Sequence, residues 1–251
     1  CLAGLDKLVE GEAKLQYKAA IRDLAQPALD RLGWEPSDSD SSRDLELRGL
    51  FIRLLANVGD DDLAIKNAGD LHDSYLVDAG SVEPNVAAAA TGVVASKGDS
   101  AQYEVFLDKY HNPTTPQEER RYQSALSAFS GEAEMDRTLA MSLDGTVRTQ
   151  DAPYLLAVCM RNKEQGYRAW EFVKSNWDKI NKDFPSNSIV RMLSGVTSLS
   201  KPEQAADVIA FFDDHEVPQG QLTLQQTLEK LRVNVALRER ESGSFSDSLT
   251  S

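Results

Sequence analysis

The chain is poor in the residue types that make chemistry easy to read. Its 251 residues include two cysteines, Cys1 and Cys159, and three histidines, His72, His111 and His215. Two cysteines cannot build a disulfide framework. Cys159 follows the apolar run Leu155-Leu156-Ala157-Val158, where a buried, inert thiol is expected, and this usage suits a reducing cytoplasm. Only 15 glycines and 9 prolines are present, too few for a strand-and-turn architecture. No stretch approaches the ~20 consecutive apolar residues that cross a bilayer and no signal-peptide pattern opens the chain, so no membrane partner is expected. Basic residues are outnumbered, 27 against 40 acidic, giving a net charge of −13. That balance repels a phosphate backbone and excludes a nucleic-acid partner. A Gly-rich phosphate loop, a nucleophile elbow and a motif-placed Cys–His pair are missing as well, so a self-contained enzyme has no visible site.

What is there reads as helix. Hydrophobic residues make up 41% of the chain and charged ones 27%, a balance that can bury a sizeable core. Leu47, Leu50, Phe51, Leu54 and Leu55 fall on one helical stripe. Turn signals at Asn57-Val58-Gly59-Asp60, Ser96-Lys97-Gly98-Asp99, His111-Asn112-Pro113-Thr114, Phe129-Ser130-Gly131, Leu143-Asp144-Gly145 and Glu216-Val217-Pro218-Gln219-Gly220 divide the chain at helix-length intervals. By these stops it holds about a dozen helices. Thr115 before Pro116, with Glu118 three residues on, predicts a capped helix start; Asp60, Asp99 and Ser200 predict others. Residues 36–42, Pro-Ser-Asp-Ser-Asp-Ser-Ser, read as an exposed loop. The Ser-rich residues 241–251 read as a flexible tail. Position 1 is Cys, not Met, and helical periodicity begins almost at once without the polar tether of a lipidated first residue, so the chain is read as a fragment of a longer polypeptide.

The acidic clusters do not form metal sites by their spacing. Asp213-Asp214-His215-Glu216 places its side chains in different directions around a helix end. Asp60-Asp61-Asp62 lacks the alternating ligands of a calcium loop and reads as a helix start. Trp170 and Trp177, seven apart, share a helix face with Phe172 nearby, the pattern of core aromatics, with a ligand-stacking platform as the other reading. Their indole N–H groups then need acceptors. Arg148, Gln150, Asp151, Arg161 and Asn162 are candidates for a buried network joining adjacent repeats.

One window carries more than composition. Arg148-Thr149-Gln150-Asp151, then Arg161-Asn162, then Gly166 with Ala169-Trp170-Glu171-Phe172 and Asn176-Trp177 occur in that order, with weaker echoes at Arg31-Leu32-Gly33-Trp34, at Thr115 to Arg120 and at Thr227 to Arg240. This window resembles the C-terminal helical domain of the zinc aminopeptidase family that includes aminopeptidase N and the endoplasmic-reticulum aminopeptidases. Lys163 stands where many relatives have proline. The resemblance implies that residues 1–240 are one all-α domain, an α-solenoid of stacked antiparallel helix pairs forming a HEAT/armadillo-like superhelix. It also implies a non-catalytic role: closing the internal chamber of the aminopeptidase and controlling peptide access and positioning. The family's His-Glu-x-x-His is absent here, so neither catalytic residues nor zinc ligands are assigned to this chain. Zinc is expected in an upstream catalytic domain of the same polypeptide, which is one implied partner; peptide substrates are the other. Candidate substrate-binding residues are Arg148 and Asp151, read as facing the chamber or as part of the buried network. Asn187 and Ser188 are the second pair, standing where some relatives carry a basic residue that holds substrate, or else capping a helix. A free-standing helical-repeat scaffold that binds proteins is the alternative function.

Overall fold

The computed structural model describes residues 2–217 and 220–250, which fall into two compact units, residues 2–98 with 241–250 and residues 99–217 with 220–240. Cys1, Pro218, Gln219 and Ser251 lie outside the described residues, and with them the reading of Cys1 and the middle of the turn expected at 216–220. The chain is all-α, and among the described residues no strand is formed.

The first unit contains α1 (Leu2–Leu5), α2 (Gly11–Leu32), α3 (Ser42–Arg53), α4 (Asp62–Val77) and α5 (Pro84–Lys97). Along α2, Ala13, Tyr17, Ile21, Ala25 and Leu29 recur every fourth residue and are all buried. This single stripe is what the helix contributes to the core. Helices α3 and α4 both pack on α5. Small residues make that approach close: Ala87, Ala89, Ala90 and Ala95 are fully or almost fully buried. The capping box of α3 is complete, Ser41 accepting from the Asp44 amide while the Asp44 side chain accepts from the Ser41 amide.

Between α3 and α4 the helix widens into a π-helical turn, Leu54–Val58. Asp60 then takes a left-handed φ of 52°. Its carboxylate bonds Lys18 at 2.7 Å and Lys97 at 2.5 Å. Asp60 is therefore not the cap of the next helix that its position in the sequence predicts. The cap is Asp61, which accepts from the Ala64 amide at 2.8 Å, because the π-turn delays the helix start by one residue and turns Asp60 toward α2 and α5.

The second unit contains α6 (Ser100–His111), α7 (Pro116–Leu126), α8 (Glu132–Ala140), α9 (Ala152–Cys159), α10 (Gly166–Ser175), α11 (Trp177–Asp183), α12 (Ser186–Met192) and α13 (Pro202–Asp214), with a 3₁₀ segment at Leu193–Ser198. Helix α6 packs on α7, α9 on α12, and α10 on α8 and α9. The cap at Asp99 is a full capping box with Gln102. Ser200 is not a cap: α13 begins after Lys201, with no side-chain cap.

The last helix, α14, runs Gln221–Thr250. Residues 241–250, a flexible tail by composition, are helical here, and Phe245 and Leu249 pack on the cluster of Val9, Ala13, Tyr17, Ile21 and Val58 in the first unit. Phe245 meets Tyr17 edge-on, with ring centroids 5.7 Å apart.

Candidate functional site

Two short helices of the second unit, α7 and α9, frame an open groove lined by Arg120, Gln123, Ser124, Asp151, Tyr154, Leu155 and Val158. The start of α7 is fixed tightly. Thr115 accepts from the Glu118 amide at 3.1 Å, and the buried Glu118 carboxylate accepts from the Thr114 amide at 2.7 Å and hydroxyl at 2.6 Å. With Tyr122, Ala125 and Leu126 buried on one face, the i, i+3, i+4 set Arg120, Gln123 and Ser124 turns outward. Helix α9 buries Leu156 and Cys159. Asp151, just before the helix, lines the groove with Tyr154, Leu155 and Val158 of α9.

The groove has charge at its rim and an apolar floor. Arg148 donates from Nε to Asp151 Oδ2 at 2.7 Å, and its Nη2 lies 3.4 Å from Glu119. The hydrogen bond to Asp151 raises the Arg148 pKa further. Arg120 is exposed and makes no hydrogen bond or ion pair among the described residues. Tyr154 is 46% exposed, whereas Leu155 is 4% exposed. A free guanidinium, a phenol hydroxyl and a buried leucine in one groove suit a ligand with an anionic group and an apolar side chain. Among the residues that line the groove no nucleophile–base pair is formed.

Arg148 and Asp151 are therefore brought together at the surface, not in a buried network. Gln150 and Arg161 are exposed too, Arg161 bonding Ser194 Oγ at 2.8 Å. Asn162 is the half-buried member of the set and joins neighbouring helices, donating to the carbonyls of Ser127 and Phe129 at 2.9 Å each. Asn187 is exposed and Ser188 buried in the first turn of α12, and that turn has no side-chain cap. They share no hydrogen bond with Arg148 or Asp151 among the described residues. Sequence reasoning missed Arg120, Gln123, Ser124 and Tyr154. The outward spacing on α7 was a signal for the first three; the apposition of α7 and α9, which makes them a site, left none.

Trp170 and Trp177 are core residues, 0% and 4% exposed. They sit on separate helices broken at Asn176 and meet Phe211 and Phe212 of α13, with centroids 5.3–5.7 Å apart. The acceptor for the Trp170 indole is Asp207, at 2.7 Å, which also receives Lys174 and Tyr167. Burial pushes the Asp207 pKa up, but the hydrogen bonds from Lys174 and Trp170 outweigh it and hold the carboxyl below its usual range.

The histidines of the described residues lie in separate settings. His72 is buried within α4, His111 ends α6, and the His215 ring stacks on Phe211 at 3.9 Å with Nδ1 2.8 Å from the Phe211 carbonyl. Among the described residues no three side chains of His, Cys, Asp or Glu come together as metal ligands. Cys159 is fully buried, its thiol pushed up to about 12 by that burial, and is no thiolate donor.

Residues 1–233 match the family described as ERAP1-like C-terminal domain. Aminopeptidase M1-B of Oryza sativa subsp. japonica is 28% identical over 245 residues, covering 93% of this chain and 27% of that protein. Aminopeptidase M1 of Arabidopsis thaliana is 30% identical over 217 residues, 83% of this chain and 24% of that protein. Endoplasmic reticulum aminopeptidase 2 of Homo sapiens is 27% identical, with 89% and 23% covered. The chain thus spans about a quarter of the length of these relatives.

Proposed function

The chain belongs to the ERAP1-like C-terminal domain family, and from that premise we propose that it is the non-catalytic C-terminal domain of a zinc-dependent aminopeptidase, where it walls the internal chamber and positions peptides. The family match over residues 1–233 carries the reading. The zinc and the chemistry then belong to the upstream catalytic domain of the same polypeptide, which is the principal partner. This is supported by histidines that lie apart and in packed or terminal positions. We read each unit as stacked helix pairs and place the chain in the cytoplasm.

The α7–α9 groove is the surface we assign to the peptide. Its free Arg120 meets an anionic group, and Leu155 with Val158 receives an apolar side chain. Binding energy gained this far from the scissile bond positions the chain for attack, so longer peptides benefit and single-residue substrates do not. In the full-length aminopeptidase, Arg120→Ala should lower kcat/KM for long peptides about tenfold, the equivalent of about 1.4 kcal/mol, and leave an aminoacyl reporter unchanged. Equal effects on both substrates, or none on either, would overturn the assignment of the groove.

A further inference from the structure

The loop between α2 and α3 presents three exposed serines, Ser37, Ser39 and Ser41, and the first residue of α3 a fourth, Ser42, in the run Ser37-Asp38-Ser39-Asp40-Ser41-Ser42-Arg43-Asp44. Beneath it lies Arg48, 0% exposed. The guanidinium donates from Nε to the Gly33 carbonyl at 3.1 Å, and from Nη2 to the Leu32 carbonyl at 2.8 Å and Asp40 Oδ2 at 2.6 Å. Nη1 is equally buried and has no hydrogen-bond partner. Asp40 therefore uses one prong of a two-pronged group, and a buried donor left open is costly. Ser37 is tied to the same carboxylate, its amide donating to Asp40 Oδ2 at 2.9 Å and its hydroxyl to Oδ1 at 3.0 Å. The Ser37 oxygen is thus one carboxylate away from the guanidinium.

We propose that Ser37 is the acceptor for an acid-directed serine kinase, and that the phosphate it receives is held by Arg48 through Nη1 and Nη2 in place of Asp40. Kinases select substrates by charge pattern. Ser37 has an aspartate one and three residues later, whereas Ser39 has one only at the next position and Ser42 only at the second. Ser41 has Asp44 three residues on, but its hydroxyl caps α3 and bonds Asp44 at 2.6 Å, so phosphorylation there breaks a capping box. The kinase joins Ser37 Oγ to the γ-phosphorus of a nucleoside triphosphate. The bond from that phosphorus to the bridging oxygen breaks, the hydroxyl proton passes to the kinase base, and the diphosphate leaves. A phosphate offers three oxygens and suits the arginine fork better than one carboxylate oxygen does.

The whole chain, incubated with an acid-directed serine kinase and Mg-ATP, should gain one phosphate on Ser37 by mass spectrometry, and Ser37→Ala should gain none. In ³¹P NMR titration the phosphoserine should lose its second proton below the usual value of about 6. Arg48→Lys keeps the charge but lacks the fork, and its phosphate should titrate closer to that value. If Arg48→Lys fails to fold, the wild-type titration alone decides. Phosphate on another serine of the loop, no incorporation, or titration at or above about 6, the behaviour of a phosphate repelled by Asp40, would each overturn the proposal.

Discussion

Asp207 and Asp60 each gather several donors onto one carboxylate, and they do so for different reasons. Asp207 serves the core: it gives the buried Trp170 indole its acceptor and pairs with Lys174. Replacing Trp170 with Ala should cost roughly 3–5 kcal/mol, as for other buried aromatics, measured by denaturant unfolding; a midpoint unchanged from wild type would show that the ring is not packed. Asp60 instead ties α2 and α5 to the corner after the π-turn. Hydrogen bonds from Lys18, then Lys97, hold its pKa down to about 2. Its folded pKa lies below the unfolded value of about 3.9, so its stabilisation is complete above that value and is lost as pH falls toward 2. Thermal melts of wild type and Asp60→Asn should differ at neutral pH and converge as pH falls from about 4 to about 2. Curves that stay parallel across that interval would refute the assignment. At this scale the sequence told which side chains are apolar enough to bury but not which polar groups meet them. The acceptor of the Trp170 indole lies 37 residues away, and local spacing carries no trace of it.

Helices were legible where a chemical signal sits at their ends. Thr115-Pro116 and Asp99 announce α7 and α6, and both cap as spacing predicts. Signals fail where tertiary packing sets the backbone. The π-turn at Leu54–Val58 moves the next cap from Asp60 to Asp61, and the break at Asn176 splits one apparent helix into α10 and α11. The 3₁₀ segment is another such element. It approaches α9 so closely that a Cβ on Gly195 would lie 2.7 Å from the Ala157 carbonyl oxygen and 2.9 Å from Met160 Cβ. Neither neighbour is the free end of a flexible side chain. Gly195→Ala should therefore destabilise the chain by about 1–3 kcal/mol through overpacking, seen as a lower Tm with unchanged helical circular dichroism. An unchanged or raised Tm would mean that α9 yields at no cost. In the same neighbourhood Asn162, in the turn after α9, fastens the turn between α7 and α8 by two carbonyls.

For the whole molecule, fold class and family were legible, because helix spacing and the 148–177 window are local properties of the chain. The association of residues 241–250 with the first unit was not. That segment offers only Phe245 and Leu249, four residues apart in a serine-rich run, and their partner Tyr17 lies at the other end of the sequence. Candidate-site legibility was partial for the same reason: Asp151 was visible in its motif, while Arg120 acquires meaning only when α7 and α9 meet. The proposed role leads to a test on the entire enzyme. An aminopeptidase ending before residue 1 of this chain should keep its zinc and its turnover of an aminoacyl reporter within about threefold, because the reacting atoms lie in the catalytic domain. Its kcat/KM for long peptides should fall at least tenfold, since the wall that orients them is gone; that loss corresponds to about 1.4 kcal/mol of transition-state positioning. Adding the chain in trans should restore part of the long-peptide activity in a concentration-dependent way, as expected for a domain interface separated from its covalent tether. Truncated enzyme with full zinc and an unaltered preference for peptide length would rule out the chamber wall and leave a scaffold that binds other proteins.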